Sequence, residues 1–193
     1  MKSPALLTAW LIIFTGCRIL QPVKDISAYH VLEPLVPDRP LSAVTPAIAV
    51  NRPTLPNYLD RSELATQTNG QLMMSPADLW AEPLGSAISR VTASNLSRLT
   101  GSLNIQPVEN FTTLDYTSLL ELKIARFEPS PANQVILAGT WKLQPVSGTA
   151  TDNHYFHIEA PIPDTSSGMA SRVQAMNKAL EILARQIINA ADP

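Results

Sequence analysis

Cys17 is the only cysteine in the 193-residue chain, so a paired Cys-x-x-Cys redox or metal site is excluded. Glycine is scarce, with seven residues against seventeen prolines; this disfavours a glycine-built phosphate cradle and favours stiff, extended connections. Basic runs are absent as well. Fourteen Lys and Arg against sixteen Asp and Glu leave a formal charge of −2 and no electrostatic footprint for nucleic acid. No apolar stretch approaches the roughly 20 residues that span about 30 Å of hydrocarbon. Neither Gly-x-Ser-x-Gly, His-Glu-x-x-His nor a Walker lysine loop occurs. What remains is ordinary globular composition, 45% apolar and 16% charged, enough for one core in a single domain.

The amino terminus has its own character. Lys2 precedes an apolar run from Ala5 to Phe14, which Arg18 ends too early for a spanning helix. This is signal-peptide length, yet Phe14 sits where ordinary cleavage after Gly16 wants a small residue. Phe14-Thr15-Gly16-Cys17 instead resembles a lipobox, with Phe14 in place of the usual leucine and Thr15 as a tolerated second residue. The alternative is a free or buried cysteine beside an uncleaved anchor; a lone thiol in an oxidising compartment would be a liability that thioether lipidation removes. Residues 1–16 are thus expected to be a lipoprotein signal peptide, 17–26 a lipidated tether, and 27–193 one periplasmic domain. No cofactor is expected beyond covalent diacylglycerol and an N-acyl chain on Cys17. About 0.8 kcal/mol per buried methylene over several chains holds such a protein on a membrane.

Along the mature chain, Tyr29-His30-Val31-Leu32 and Ala47-Ile48-Ala49-Val50 read as short strands bounded by prolines, with Glu33 to Val44 as a stiff loop. Gln67-Thr68-Asn69-Gly70 predicts a hairpin. Ser75-Pro76-Ala77-Asp78 has the pattern of a helix start, with serine as N-cap and proline at the first turn. The stripe Leu84, Ile88, Val91, Leu96 and Leu99 continues that helix to Gly101, kinked or restarted at Pro83. Alternation then predicts strands at Leu120 to Ala125, Val135 to Leu143 and Tyr155 to Ala160, with a turn at Phe127 to Asn133 and an additional strand within Ser102 to Val108. Met169, Val173, Met176, Leu180, Leu183 and Ile187 give the last helix its apolar face, opposite Arg172, Lys178, Glu181 and Arg185. The expected fold is α+β: a two-layer sandwich of mostly antiparallel sheet covered by two helices.

Candidate chemistry is sparse. His154 and His157, with Asp152 nearby, could be offered as metal ligands, but their spacing on a strand sends them to opposite faces. Asp60-Arg61 reads as an exposed turn pair, and Trp80 as core beneath the sheet. Leu72-Met73-Met74 sets methionine on both faces of the hairpin arm; core packing is one role, an adaptable partner or oligomer contact the other.

The order of Phe14 to Cys17, Tyr29 to Leu32, Ile48 to Val50, Leu55-Pro56-Asn57-Tyr58-Leu59-Asp60-Arg61, Trp80-Ala81-Glu82-Pro83-Leu84, Leu120 to Phe127 and Trp141-Lys142-Leu143 resembles the ABC-type transport auxiliary lipoprotein family. The resemblance implies a non-enzymatic lipoprotein on the periplasmic face of the outer membrane. Its partner would be an inner-membrane protein with mammalian-cell-entry (MCE) domains, in a transport system of the paraquat-inducible type. A homo-oligomeric ring and contact with phospholipid belong to the same expectation. A stand-alone structural lipoprotein serving an outer-membrane complex, and a hydrolase using His154 or His157, are the competing readings.

Overall fold

The computed structural model describes residues 26–37, 46–110, 115–148, 151–163 and 168–191. Cys17, the signal peptide, most of the tether and residues 38–45 of the proline-rich loop lie outside the described residues.

Among the described residues, eight strands and two α-helices follow one another in the order β1 (Ala28–His30), β2 (Ile48–Val50), β3 (Glu63–Thr68), β4 (Gln71–Trp80), α1 (Leu84–Thr100), β5 (Ile105–Pro107), β6 (Ser118–Ser130), β7 (Gln134–Pro145), β8 (His154–Pro161) and α2 (Met169–Ala191). The α+β class is as expected, but the sheets are mixed. A three-stranded sheet runs β1-β4-β3 and a five-stranded sheet β5-β2-β6-β7-β8. Long alternating strands close as antiparallel neighbours, β6 with β7 and β7 with β8, whereas β1 pairs parallel to β4, and β2 parallel to both β5 and β6. The parallel pairs are three-residue strands whose partners lie far along the chain, so no local turn signal announces them.

The meander buries one parity on its inner side. Leu120, Leu122 and Ile124 on β6, Leu137 on β7, and Phe156, Ile158 and Ala160 on β8 all enter the core. Gly139 sits where β6 slips register between Ile124 and Arg126. A Cβ there would stand 2.1 Å from the Lys123 carbonyl oxygen, so the close approach of the two strands requires glycine. Pro129 is tolerated in β6 because β2 pairs only with its opposite end, Ser118 to Leu120.

The α2 stripe behaves as its spacing predicts: Val173, Met176, Leu180, Leu183 and Ile187 are buried and Met169 packs on the core. Glu181, expected on the polar face, is buried as well and is held by Lys178 at 2.6 Å and Arg185 at 2.9 Å. Burial raises its pKa, but the hydrogen bonds and charges of those two cations outweigh it and leave the carboxyl below its ordinary range.

The first helix begins later than the sequence suggests. Ser75 to Asp78 belong to β4, Pro83 is the N-cap residue, and the helix starts at Leu84. The capping chemistry is nevertheless present: Asp78 N–H donates to Ser75 Oγ at 3.2 Å, and Ser75 Oγ donates to the Asp78 carboxylate at 2.6 Å. It closes a bulge instead of a helix, because Glu63 pairs with Leu79 and Ala65 with Met74; four residues of β4 therefore face Leu64 alone. Gly101, with φ 77°, ends α1 as expected and donates its N–H to Ser97.

Between β1 and the undescribed loop, residues 32–36 are strapped to both helices. Asn177 Oδ1 on α2 accepts the Glu33 N–H at 3.0 Å, and Asn95 Oδ1 on α1 accepts the Val36 N–H at 3.3 Å. Arg90 and Arg98 donate to the carbonyls of Leu32 and Val36.

Candidate functional site

The two most distinctive sequence segments meet in space. In Leu55 to Arg61, the Pro56 carbonyl accepts the N–H groups of Leu59 and Asp60 at 2.9 and 3.2 Å. That turn buries Leu59 and sends the Tyr58 hydroxyl to Glu128, 2.9 Å away on β6. In Trp80 to Leu84, the Trp80 N–H donates to Ser62 at 2.7 Å and the Ala81 N–H to His30 at 2.9 Å. These bonds draw the end of β4 against the turn and leave a cleft of about 460 Å³ lined by Arg52, Asp60, Arg61, Trp80, Glu82 and Pro83. Gly85 borders it: a Cβ there would come within 2.7 Å of Arg52 Nε, so a larger residue would oblige the arginine side chain to shift from the first turn of α1.

Asp60 and Arg61, adjacent in sequence, do not pair with each other. Asp60 lies 3.4 Å from Arg52, and Arg61 is 3.8 Å from Glu63. Glu82 pairs with Arg90, which also holds the Leu32 carbonyl. Exposed pairs of this kind contribute about 0 to 1 kcal/mol each; their effect is to rim the cleft with alternating charge around Trp80.

Behind the turn lies an ionic group that sequence reasoning missed. Glu128 is 1% exposed. It accepts from Arg126 Nε at 2.7 Å, from Tyr58 at 2.9 Å and from the Phe127 N–H at 2.9 Å. Burial and then the Glu128 charge push the Tyr58 phenol well above its ordinary pKa. The available signal was a glutamate set between Phe127 and Pro129, two residues after Arg126.

At the hairpin, Asn69 and Gly70 have φ values of 51° and 75°, the two positive angles a two-residue type I′ turn demands. The Leu72-Met73-Met74 triplet divides. Met74 packs on the core, while Leu72 and Met73 remain 44% and 60% exposed. Met73 overhangs a cleft shared with Thr66, Ser75, Met169 and Arg172.

At the base of the same hairpin, the His30 ring nitrogen lies 2.8 Å from one Asp78 oxygen while Ser75 takes the other. The Ser75 bond, then the His30 bond and charge, overcome burial to hold Asp78 below the ordinary carboxylate range. Both neighbours address the carboxylate and the serine does not face the imidazole, so the trio lacks the hydroxyl-to-base contact of an activated nucleophile.

His154 stacks on its cross-strand partner Trp141, with ring centroids 4.2 Å apart and 14° between planes. His157 meets Glu159 at 3.2 Å. The two histidines occupy opposite parities of β8, as their spacing requires. Among the described residues no group of three metal-ligating side chains is assembled, and no helix is long and apolar enough to cross a membrane.

By fold and surface, this is a small α+β domain presenting two exposed apolar side chains, Leu72 and Met73, behind a polar hairpin turn, and a charge-rimmed cleft. The model of the ABC-type transport auxiliary lipoprotein component matches residues 30–188, and the chain belongs to that family of transport lipoproteins. Two crystal structures share the fold. An uncharacterized protein aligns at TM-score 0.70 and 20% identity, over 86% of this chain and 99% of its own. A Xanthomonas campestris protein of the DUF330 family aligns at TM-score 0.65 and 18% identity, over 84% and 93%. No curated protein sequence matches the chain.

Proposed function

We propose that this protein is a lipid-anchored docking component of an envelope phospholipid transport system. Residues 1–16 are removed as a signal peptide, Cys17 carries diacylglycerol and an N-acyl chain, and residues 17–26 tether the domain of residues 27–193 to the periplasmic face of the outer membrane. There it receives the far end of an MCE-domain tube built by the inner-membrane partner, as a ring of identical subunits. The physical need for such a route is plain: acyl chains crossing the aqueous periplasm unshielded would expose apolar surface at about 25 cal/mol per Å².

The observation that carries this reading is the transport-lipoprotein match over residues 30–188 lying just downstream of Phe14-Thr15-Gly16-Cys17, which holds the sole cysteine. A tether at Cys17 raises the local concentration of the domain where a partner must be captured. Crosslinking in intact envelopes, with mass spectrometry of both the mature amino terminus and the captured proteins, tests it. The expected result is a triacylated Cys17 and an MCE-domain partner. A bare Cys17 behind an uncleaved leader, or repeated recovery without such a partner, overturns it.

A further inference from the structure

We infer that the tip of the β3–β4 hairpin is a second membrane contact, inserting Leu72 and Met73 into the lipid surface to which Cys17 is anchored. This rests on the anchored reading above and adds an orientation to it.

The argument starts from strand direction. β1 is parallel to β4, with Ala28 opposite Asp78, so the chain preceding Ala28 leaves the domain in the direction in which β4 runs back to its start at Gln71. The anchor is therefore approached from the hairpin end. Because of the bulge, only the four steps from Glu63 to Gln67 on β3 cover β4 from Leu79 to Leu72, so Leu72 overhangs the start of β1 by about 10 Å of strand. From Cys17 to Ala28 there are eleven residues, at most about 40 Å of chain. Whenever that stretch spans less than about a quarter of its maximum, Leu72 reaches the bilayer.

The surface it brings there suits lipid. Leu72 and Met73 are among the exposed large apolar side chains, and from Ala65 to Ala77 the sequence contains no Asp, Glu, Lys or Arg. Neighbouring residues continue the pattern. Thr68 and Met73 share a cleft with Pro131 and Asn133 of the β6–β7 turn, and residues 129–137 are also uncharged. The two loops themselves hold no ionised side chain to dehydrate; Arg172 lines the cleft beside Met73, where a guanidinium can stay among the lipid head groups. The type I′ turn at Asn69-Gly70 keeps its flanking residues Thr68 and Gln71 paired.

Depth-dependent quenching tests the contact in the full acylated protein. The mature sequence holds two tryptophans, Trp80 and Trp141, both buried, so an added indole reports separately after subtraction of the parent signal. Leu72→Trp is compared with Val146→Trp, an exposed site beyond the far end of the twelve-residue strand β7, about 40 Å along it. Each is reconstituted in vesicles of phosphatidylethanolamine and phosphatidylglycerol with brominated acyl chains. The tip indole should be quenched at least about threefold more than the Val146→Trp indole. Gln71→Trp, exposed at the same tip, carries the same expectation should Leu72→Trp misfold. Equal quenching at tip and control with Cys17 acylated overturns the inference and leaves the anchor standing; a tip indole shielded instead by a second copy, seen as crosslinking between hairpins with no lipid quenching, does the same. An unmodified Cys17 in the purified mature protein overturns both.

Discussion

The His30 imidazole stands 2.8 Å from the Asp78 carboxylate, joining residues 48 positions apart in sequence. This contact fastens the edge strand β1 to the bulge of β4, where Ser75 holds the other Asp78 carboxylate oxygen. The hairpin base and the point where the chain enters the domain are thus one hydrogen-bonded unit.

Because Asp78 titrates below its ordinary range when folded, its stabilisation is fully present above the unfolded value, near 3.9, and is lost as pH falls through the folded value. Asp78→Asn should cost about 1 to 2 kcal/mol at pH 7. In urea titrations the gap from the parent should narrow below about pH 4. A constant gap down to pH 2 would show that the charge contributes nothing.

Removing the cation beside a buried carboxylate is more damaging than removing both. Arg126→Met should cost about 3 kcal/mol by stranding Glu128, and the Arg126→Met, Glu128→Met double variant should recover part of it. Tyr58→Phe should cost about 1.5 kcal/mol. Chemical denaturation of the parent, Arg126→Met, Glu128→Met and the double variant closes the cycle, and simple additivity would argue against coupling.

The strap offers a local readout. Asn177→Ala frees the Glu33 N–H and Asn95→Ala the Val36 N–H. Each should cost about 1 kcal/mol and speed hydrogen exchange at those amides while the amides of β7 stay protected. Uniform loss of protection would mean that the strap is no separate unit.

Two glycine substitutions should differ in scale. Gly139→Ala collides with backbone at 2.1 Å and should cost about 3 kcal/mol or more. Gly70→Ala meets open space at φ +75° and should cost about 1 kcal/mol. Thermal denaturation orders them.

Cys17→Ser should yield a domain with unchanged circular dichroism that no longer sediments with outer membranes, since one apolar tip without acyl chains binds lipid marginally. Persistent sedimentation would remove the anchor from the account.

Periodicity and turn chemistry are local, and the sequence displays them directly: the α2 stripe, the β6–β8 alternation and the Asn69-Gly70 turn all stand where their spacing puts them. Ser75-Pro76-Ala77-Asp78 shows the limit of that logic. Its hydrogen bond from Asp78 N–H to Ser75 Oγ forms as a cap's would, but pairing of β4 with β1 and β3 turns it into a bulge, because two strands offer more backbone partners than an isolated helix start. Glu181 fails for a related reason: a period of 3.6 assigns a face but does not say how much of the helix its neighbours cover.

By itself, the amino-acid order determined the kinds of element and the kinship of the chain. Only the tertiary structure decided that Leu55 to Arg61 and Trp80 to Leu84 share a cleft, that Met74 packs on the core while Leu72 and Met73 stay out, and that the start of β1 lies beside β4. Those relations depend on parallel pairings between distant three-residue strands, whose register comes from packing across the whole core and leaves no periodic trace in any stretch of chain.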